Sequence, residues 1–192
     1  MTWAVCIASG PSLTRADCDA LRGFGYTIVV NCAVFFAPWA DEWYAADLQF
    51  WNYYGKKGAW FKGHRVSRSR HELVDETWRG AGWPTTGGNS GHQALQLAVE
   101  RGYERVALIG YDHKHTGGKT HFHGDHPRKN KVRLGNPQHC HHWARQMKRT
   151  SLTLKQKGIE VVNLSRETAI ECFPRMTVEE FLRAEADGVV SE

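Results

Sequence analysis

Short runs of apolar, β-branched residues alternate along the chain with stretches whose apolar positions recur every three or four residues, the patterns of buried strands and helices. Trp3–Ala8 (WAVCIA) reads as a buried strand closed by the turn Ser9-Gly10-Pro11-Ser12. Thr14 with Asp17 opens a short helix running to Leu21, and Tyr26–Asn31 is a second buried strand. Glu42–Ala46 is a weaker strand ending at Asp47, followed by a helix over Leu48–Tyr54. Residues 55–88 carry less signal, with a strand at Arg65–Ser67 and a Gly/Thr/Pro loop at Gly80–Gly88. Asn89 or Ser90 caps a helix through Arg101 with Ala94, Leu95, Leu97, Ala98 and Val99 as its apolar face, and Gly102 ends it. Arg105–Ile109 is a strand leading into Gly110-Tyr111-Asp112. A long polar loop covers 113–137, a length that compact domains keep for a use. A helix over His139–Lys157 is stopped by Gly158 and followed by the strand Ile159–Leu164. Thr177 with Glu180 forms a capping box for the last helix, Val178–Ala186.

This alternation predicts an α/β fold: a Rossmann-like, mostly parallel sheet with helices on both faces, in one domain over residues 1–192. Such folds bind ligands outside the carboxyl ends of the strands. The segments selected are Ser9–Leu13, Asn31–Cys32, Asp47, Thr85–Gly91, Gly110–His115 and Asn163–Ser165.

Composition removes several classes. With 41% hydrophobic and 23% charged residues the chain is not of a disordered type. No apolar run approaches the ~20 residues of a bilayer crossing, and Trp3–Ala8 is too short for a secretion signal, so a cytoplasmic protein is expected. Five scattered cysteines without a CxxC pair argue against a zinc ribbon or a disulfide framework. Lys and Arg outnumber Asp and Glu by 25 to 20, which favours an anionic partner without choosing one.

The turn at Ser9-Gly10-Pro11-Ser12 combines a glycine, which lets a ligand approach the backbone, with a following helix N-terminus that offers free N–H groups to an anion. It carries neither GxGxxG nor GxxxxGK[ST], so neither a dinucleotide fingerprint nor a P-loop is present. Thr85–Gly91 is a second small-residue loop opening a helix. It serves either as a phosphate cradle or simply through capping by Asn89 or Ser90.

His121-Phe122-His123-Gly124-Asp125-His126 matches H-x-H-x-D-H, the metal motif of metallo-β-lactamase-fold hydrolases. That fold needs a further Asp and two further His downstream, but no Asp lies between Asp125 and Asp187 and no His follows His142. Two readings remain. One is a lid over a bound phosphate, the preferred one; the other is a local metal site of His121, His123, Asp125 and His126. Lys119, Arg128, Lys129, Lys131 and Arg133 give the same loop a basic character. His139, His141 and His142 open the next helix, whose N-terminal dipole favours the neutral imidazole that a general base requires. Six of the eight tryptophans fall between Trp39 and Trp83, mostly as core, with some available to line an acceptor pocket.

The strand ending SGPSL, the strand ending VVNCAVFF, the NSG that opens a helix, the strand VALIGYD and the His-bearing helix resemble glycosyltransferase family 42. These are bacterial sialyltransferases that use a CMP-activated sugar. The same core occurs in 6-hydroxymethylpterin diphosphokinase-like (MptE-like) proteins. APWAD, NSGHQALQLA, LIGYD and THFHGDHP are similar, over nearly the whole chain, to a family of small phage and prophage proteins. The resemblance implies a nucleotide-binding turn at Ser9, Gly10, Pro11 and Ser12, with Asn31 contacting a nucleotide or phosphate. It places Ser90 and Gly91 on the cytidine part of the donor, with Asn89, Asp47 and Asp112 in the same donor site and His141 as general base. Ser9 and Asp47 stand where the transferases have Asn, and their phosphate-binding tyrosines have no counterpart in residues 113–138. The expected activity is that of a phage-encoded, glycosyltransferase-like enzyme moving a group from a nucleotide-activated donor, CMP- or another NDP-sugar, to a hydroxyl of a glycan or DNA, with or without a divalent metal. The alternatives are an ATP/Mg-dependent diphosphokinase-like enzyme and a non-catalytic nucleotide- or nucleic-acid-binding module.

Overall fold

The computed structural model describes residues 2–86, 88–126 and 137–188. Its strands are β1 (Trp3–Ile7), β2 (Tyr26–Val30), β3 (Glu42–Tyr44), β4 (His64–Ser67), β5 (Glu76–Thr77), β6 (Arg105–Ile109) and β7 (Glu160–Asn163). They form one sheet in the order β5-β4-β3-β2-β1-β6-β7, with every pairing parallel. The helices are α1 (Arg15–Ala20), α2 (Leu48–Phe50), α3 (Ser90–Glu100), α4 (Pro137–Gln156) and α5 (Val178–Ala186).

A strand covered on both sides has no polar face, which is why β1, β2 and β6 read as continuous apolar runs. In β1, Trp3, Val5 and Ile7 join one core with Cys18 and Leu21, beside α1, and Phe181 of α5. Ala4 and Cys6 join the other, with Ala94, Leu95 and Leu97 of α3 and Met147 and Leu154 of α4. The predicted capping box forms at Thr177 with Glu180, and Thr14 with Asp17, expected to open α1, makes a second one.

Residues 42–86 depart furthest from expectation. After α2 the predicted helix widens into a π turn at Trp51–Gly55 and tightens into a 3-10 turn at Lys56–Gly58. Bulky rings dictate this path. Trp51 Nε1 donates to the Ala45 carbonyl at 2.9 Å, and the Trp43 ring packs so close to Gly58 that a Cβ there would lie 2.5 Å from it. The tryptophan-rich segment is largely core, with Trp43, Trp51 and Trp78 buried.

At the amino-terminal end of the sheet Arg101 donates to Glu42 at 2.6 Å and to Glu76 at 2.7 Å, and Glu42 is 1% exposed. Removing the cation leaves a buried carboxylate without its partner, so Arg101→Ala is expected to cost about 3–5 kcal/mol in urea denaturation. Adding Glu42→Gln should recover part of the loss. A loss below about 1 kcal/mol would mean that water replaces the guanidinium.

The sheet's two edges are handled differently. β5 has two residues. Beyond β7 the chain folds back, so that the Asn163 N–H donates to the Pro174 carbonyl at 2.8 Å and Asn163 bridges to Arg175. From β1 the chain winds outward to β5, then returns through α3 to β6 on the other side of β1. The connections after β1 and β6 separate at this switch point and open a crevice at the carboxyl end of β1.

Candidate functional site

That crevice is a cleft of about 120 Å³, lined among others by Ser9, Gly10, Pro11, Asn31, Asn89, Ser90, Gly91, Asp112 and His121. Four segments far apart in sequence meet there because each follows a neighbouring strand or opens α3.

The floor is made by two turns locked together. Gly10 N–H donates to the Gly110 carbonyl at 2.8 Å, and Ala8 N–H to Ile109 at 2.8 Å. A Cβ on Gly10 would lie 2.1 Å from Asp112 Oδ1, and one on Gly110, whose φ is +72°, would lie 2.4 Å from the Ala8 carbonyl. The room that Gly10 creates is therefore filled by Asp112. Ser12 N–H and its hydroxyl donate to the two oxygens of that carboxylate at 2.8 and 2.9 Å. The anion held by the turn after β1 belongs to the chain itself. Burial outweighs these bonds and pushes the Asp112 carboxyl up to about 6, within the range useful for proton transfer at neutral pH.

The opposite wall is the start of α3. Asn89 caps it by accepting from His92 N–H at 2.9 Å, and Ser90 Oγ accepts from Ala46 N–H at 3.1 Å. Among the described residues, the N–H groups of Ser90 and Gly91 have no partner. The predicted cap forms through the Asn89 side chain and His92 N–H, and it does not use the N–H groups of Ser90 and Gly91. Asn31, at the end of β2, holds φ +52° and gives its carbonyl to Trp43 Nε1 at 2.9 Å. His113 follows Asp112 at φ +47°, and burial drives its imidazole down to about 3. Asn89 Nδ2 and His113 Nδ1 are buried without a hydrogen-bond partner among the described residues, although both residues border the cleft.

Three predicted residues lie elsewhere. Ser12 sits beneath the cleft, engaged by Asp112. Asp47 starts α2 and is not part of the cleft wall. His141 is exposed and shares a separate depression with Arg145, Lys148 and Glu171. Helical register explains this, since about 100° separates successive residues. Cys140 and Trp143 of α4 line the cleft, and His141 points along the 141–145–148 face instead.

The histidine loop reaches the cleft through His121, which lines it, and the neighbouring Phe122 N–H donates to the Ser9 carbonyl at 3.2 Å. Desolvation pushes His121 down to about 4 and His126 to about 3, and lowers His123, so these rings are neutral at pH 7. They add no charge to the cleft, and the loop's cations Arg128, Lys129, Lys131 and Arg133 lie outside the described residues. Asp125 accepts from Thr120 Oγ1 at 2.6 Å and does not join the group of potential ligand atoms formed by His123 and His126. That group includes Cys32 instead.

No family model, curated protein or solved structure matches the chain. The resemblance to the sialyltransferases therefore rests on the strand-end residues alone. None of the helices is long and apolar enough to cross a membrane among the described residues.

Residue patterns missed Cys140 and Trp143 as cleft residues and Cys32 as a neighbour of the histidines, whereas His113 fell within the selected segment Gly110–His115. Trp143 carried a usable signal, lying three residues after Cys140 on the apolar face of α4. Cys32 carried none, because only the tertiary fold brings it to the loop.

Proposed function

We propose that the chain is a nucleotide-dependent transferase of glycosyltransferase-like type, moving a group from a nucleotide-activated donor to an acceptor hydroxyl. The observation that carries the reading is the juxtaposition, across one cleft at the switch point, of α3 N–H groups that have no partner among the described residues with the buried carboxyl of Asp112. The Ser90 and Gly91 N–H groups, reinforced by the helix dipole, suit a phosphate of the donor. Asn31, Asn89 and His113 supply polar contacts around it. Asp112, held by Ser12, takes the acceptor proton as the hydroxyl attacks, a role the resemblance gives to His141. The exposed His142, Arg145, Lys148 and Arg149 give α4 a basic face suited to an anionic acceptor such as DNA.

A thermal-shift panel of CMP, CDP, UDP, GDP and ATP, each with and without magnesium, tests the reading. A matching nucleotide at one hundred times its Kd should stabilise by about 2.7 kcal/mol, or roughly 5–11 °C for a chain of this size. Stabilisation by ATP with magnesium alone would replace sugar-type transfer by a diphosphokinase-like activity. No shift with any nucleotide would sink the reading. Binding without product on any acceptor would leave a sequestering module.

A further inference from the structure

A second set of donors lies on the α1 side of the sheet, beside the cleft. Cys32 is in the 3-10 turn that follows β2, and His123 and His126 come from the loop over residues 120–126. The Cys32 sulfur and one nitrogen from each imidazole all lie within 4.8 Å of one another. The His121 ring centroid is 5.1 Å from that of His123 and 5.0 Å from that of His126.

The loop is held in place from both ends. Phe122 N–H donates to the Ser9 carbonyl at 3.2 Å, and its ring stacks on Phe36 at 4.0 Å. Gly124, at φ +82°, turns the chain so that its N–H reaches the His121 carbonyl at 2.9 Å. The Tyr54 hydroxyl bonds Nδ1 of His126 at 2.9 Å, which fixes the ring and leaves its second nitrogen for another partner. Orientation of an imidazole through its other nitrogen is how proteins present histidine to a metal.

We propose that Cys32, His123 and His126 bind one zinc-class divalent ion, with its fourth position facing His121. A thiolate with imidazoles selects zinc or a similarly soft ion over magnesium or calcium, which take oxygen donors. Tetrahedral zinc, with bonds of about 2.0–2.3 Å, spaces its ligand atoms about 3.3–3.6 Å apart. Closing onto the ion requires side-chain movements of roughly 1 Å on that scale, and the exposed His123 is free to make them. On binding, the thiol proton of Cys32 passes to solvent. Bound there, the ion ties the histidine loop to the end of β2 and fixes His121 against the cleft. The site stands independently of what the cleft binds.

The test uses the full chain, stripped with a chelator and dialysed. Zinc titration should return one ion per chain that survives gel filtration, and cobalt should give a thiolate charge-transfer band with the intense visible bands of four-coordinate geometry. Cys32→Ser should abolish the charge-transfer band and weaken zinc at least tenfold. His123→Ala, at an exposed position, should keep the metal-free melting temperature while also losing at least tenfold in affinity. Three results would overturn the proposal: no zinc bound at stoichiometric concentration, a six-coordinate cobalt spectrum without the thiolate band, or zinc affinity unchanged in both variants.

Discussion

Asp112→Asn is expected to make the protein more stable above pH 7 while removing its proposed chemistry. The carboxyl is 1% exposed, and burial lifts it from its ordinary value of 3.8 to about 6. A carboxyl whose folded value is raised holds its full stabilising contribution below its unfolded value and loses it as pH rises through the folded one. The wild type is thus penalised above pH 6 by a shift of about two units, which is of order 3 kcal/mol. An amide carries no charge to desolvate and still accepts from Ser12 N–H. The variant should therefore gain about 1–3 kcal/mol at pH 8 and almost nothing at pH 3.5. Paired urea denaturation curves at the two pH values measure this, because the difference between the proteins isolates position 112. A difference that is flat with pH, or a loss at pH 8, would refute the account. With a donor from the nucleotide panel, turnover should fall about 10²–10⁴-fold, the usual loss with a general base.

Gly10→Ala is expected to have the opposite effect. Its methyl would sit 2.1 Å from Asp112 Oδ1 and 2.5 Å from the Gly110 carbonyl oxygen. The carboxylate can swing away at the cost of its bonds from Ser12, but the carbonyl belongs to the backbone of the neighbouring turn. Relief therefore means parting the β1 and β6 turns and breaking the 2.8 Å bond between Gly10 and Gly110. A loss of about 3 kcal/mol or more follows, or roughly 6–12 °C in Tm. Combining Gly10→Ala with Asp112→Ala should restore only part of it, because the carbonyl clash persists. If the single variant melts within 2 °C of wild type, the two turns are not locked as described.

How far the sequence could be read depended on the range of the interactions involved. β6 and α5 match their apolar runs and caps because burial on a strand and reciprocal capping are local matters. β5 could not be read, since two residues make no period, and its pairing depends on β4. The π turn at Trp51–Gly55 answers to where Trp43 and Trp51 pack, which no local pattern encodes. At the cleft, the glycine of the first turn signalled a close approach but not that Asp112 makes it. Counting back from β7 placed His141 on α4, which does reach the cleft, but on a face turned away from it, because about 100° separates successive residues. The H-x-H-x-D-H pattern pointed to His123 and His126, whereas Asp125 is engaged by Thr120, and the third proposed ligand, Cys32, comes from a distant strand end.

The two edges of the sheet limit how this protein can meet others. An exposed strand invites another chain to add itself through backbone hydrogen bonds, the route of both peptide recognition and edge-to-edge aggregation. Here one margin is two residues long and the other is paired at its carboxyl end, at Asn163, by the chain's own return past Pro174. The little free edge that is left favours association, whether with an acceptor, a regulator or a second copy, through side chains on the helices and the cleft rim. There, changes of single surface residues can tune it without disturbing the sheet.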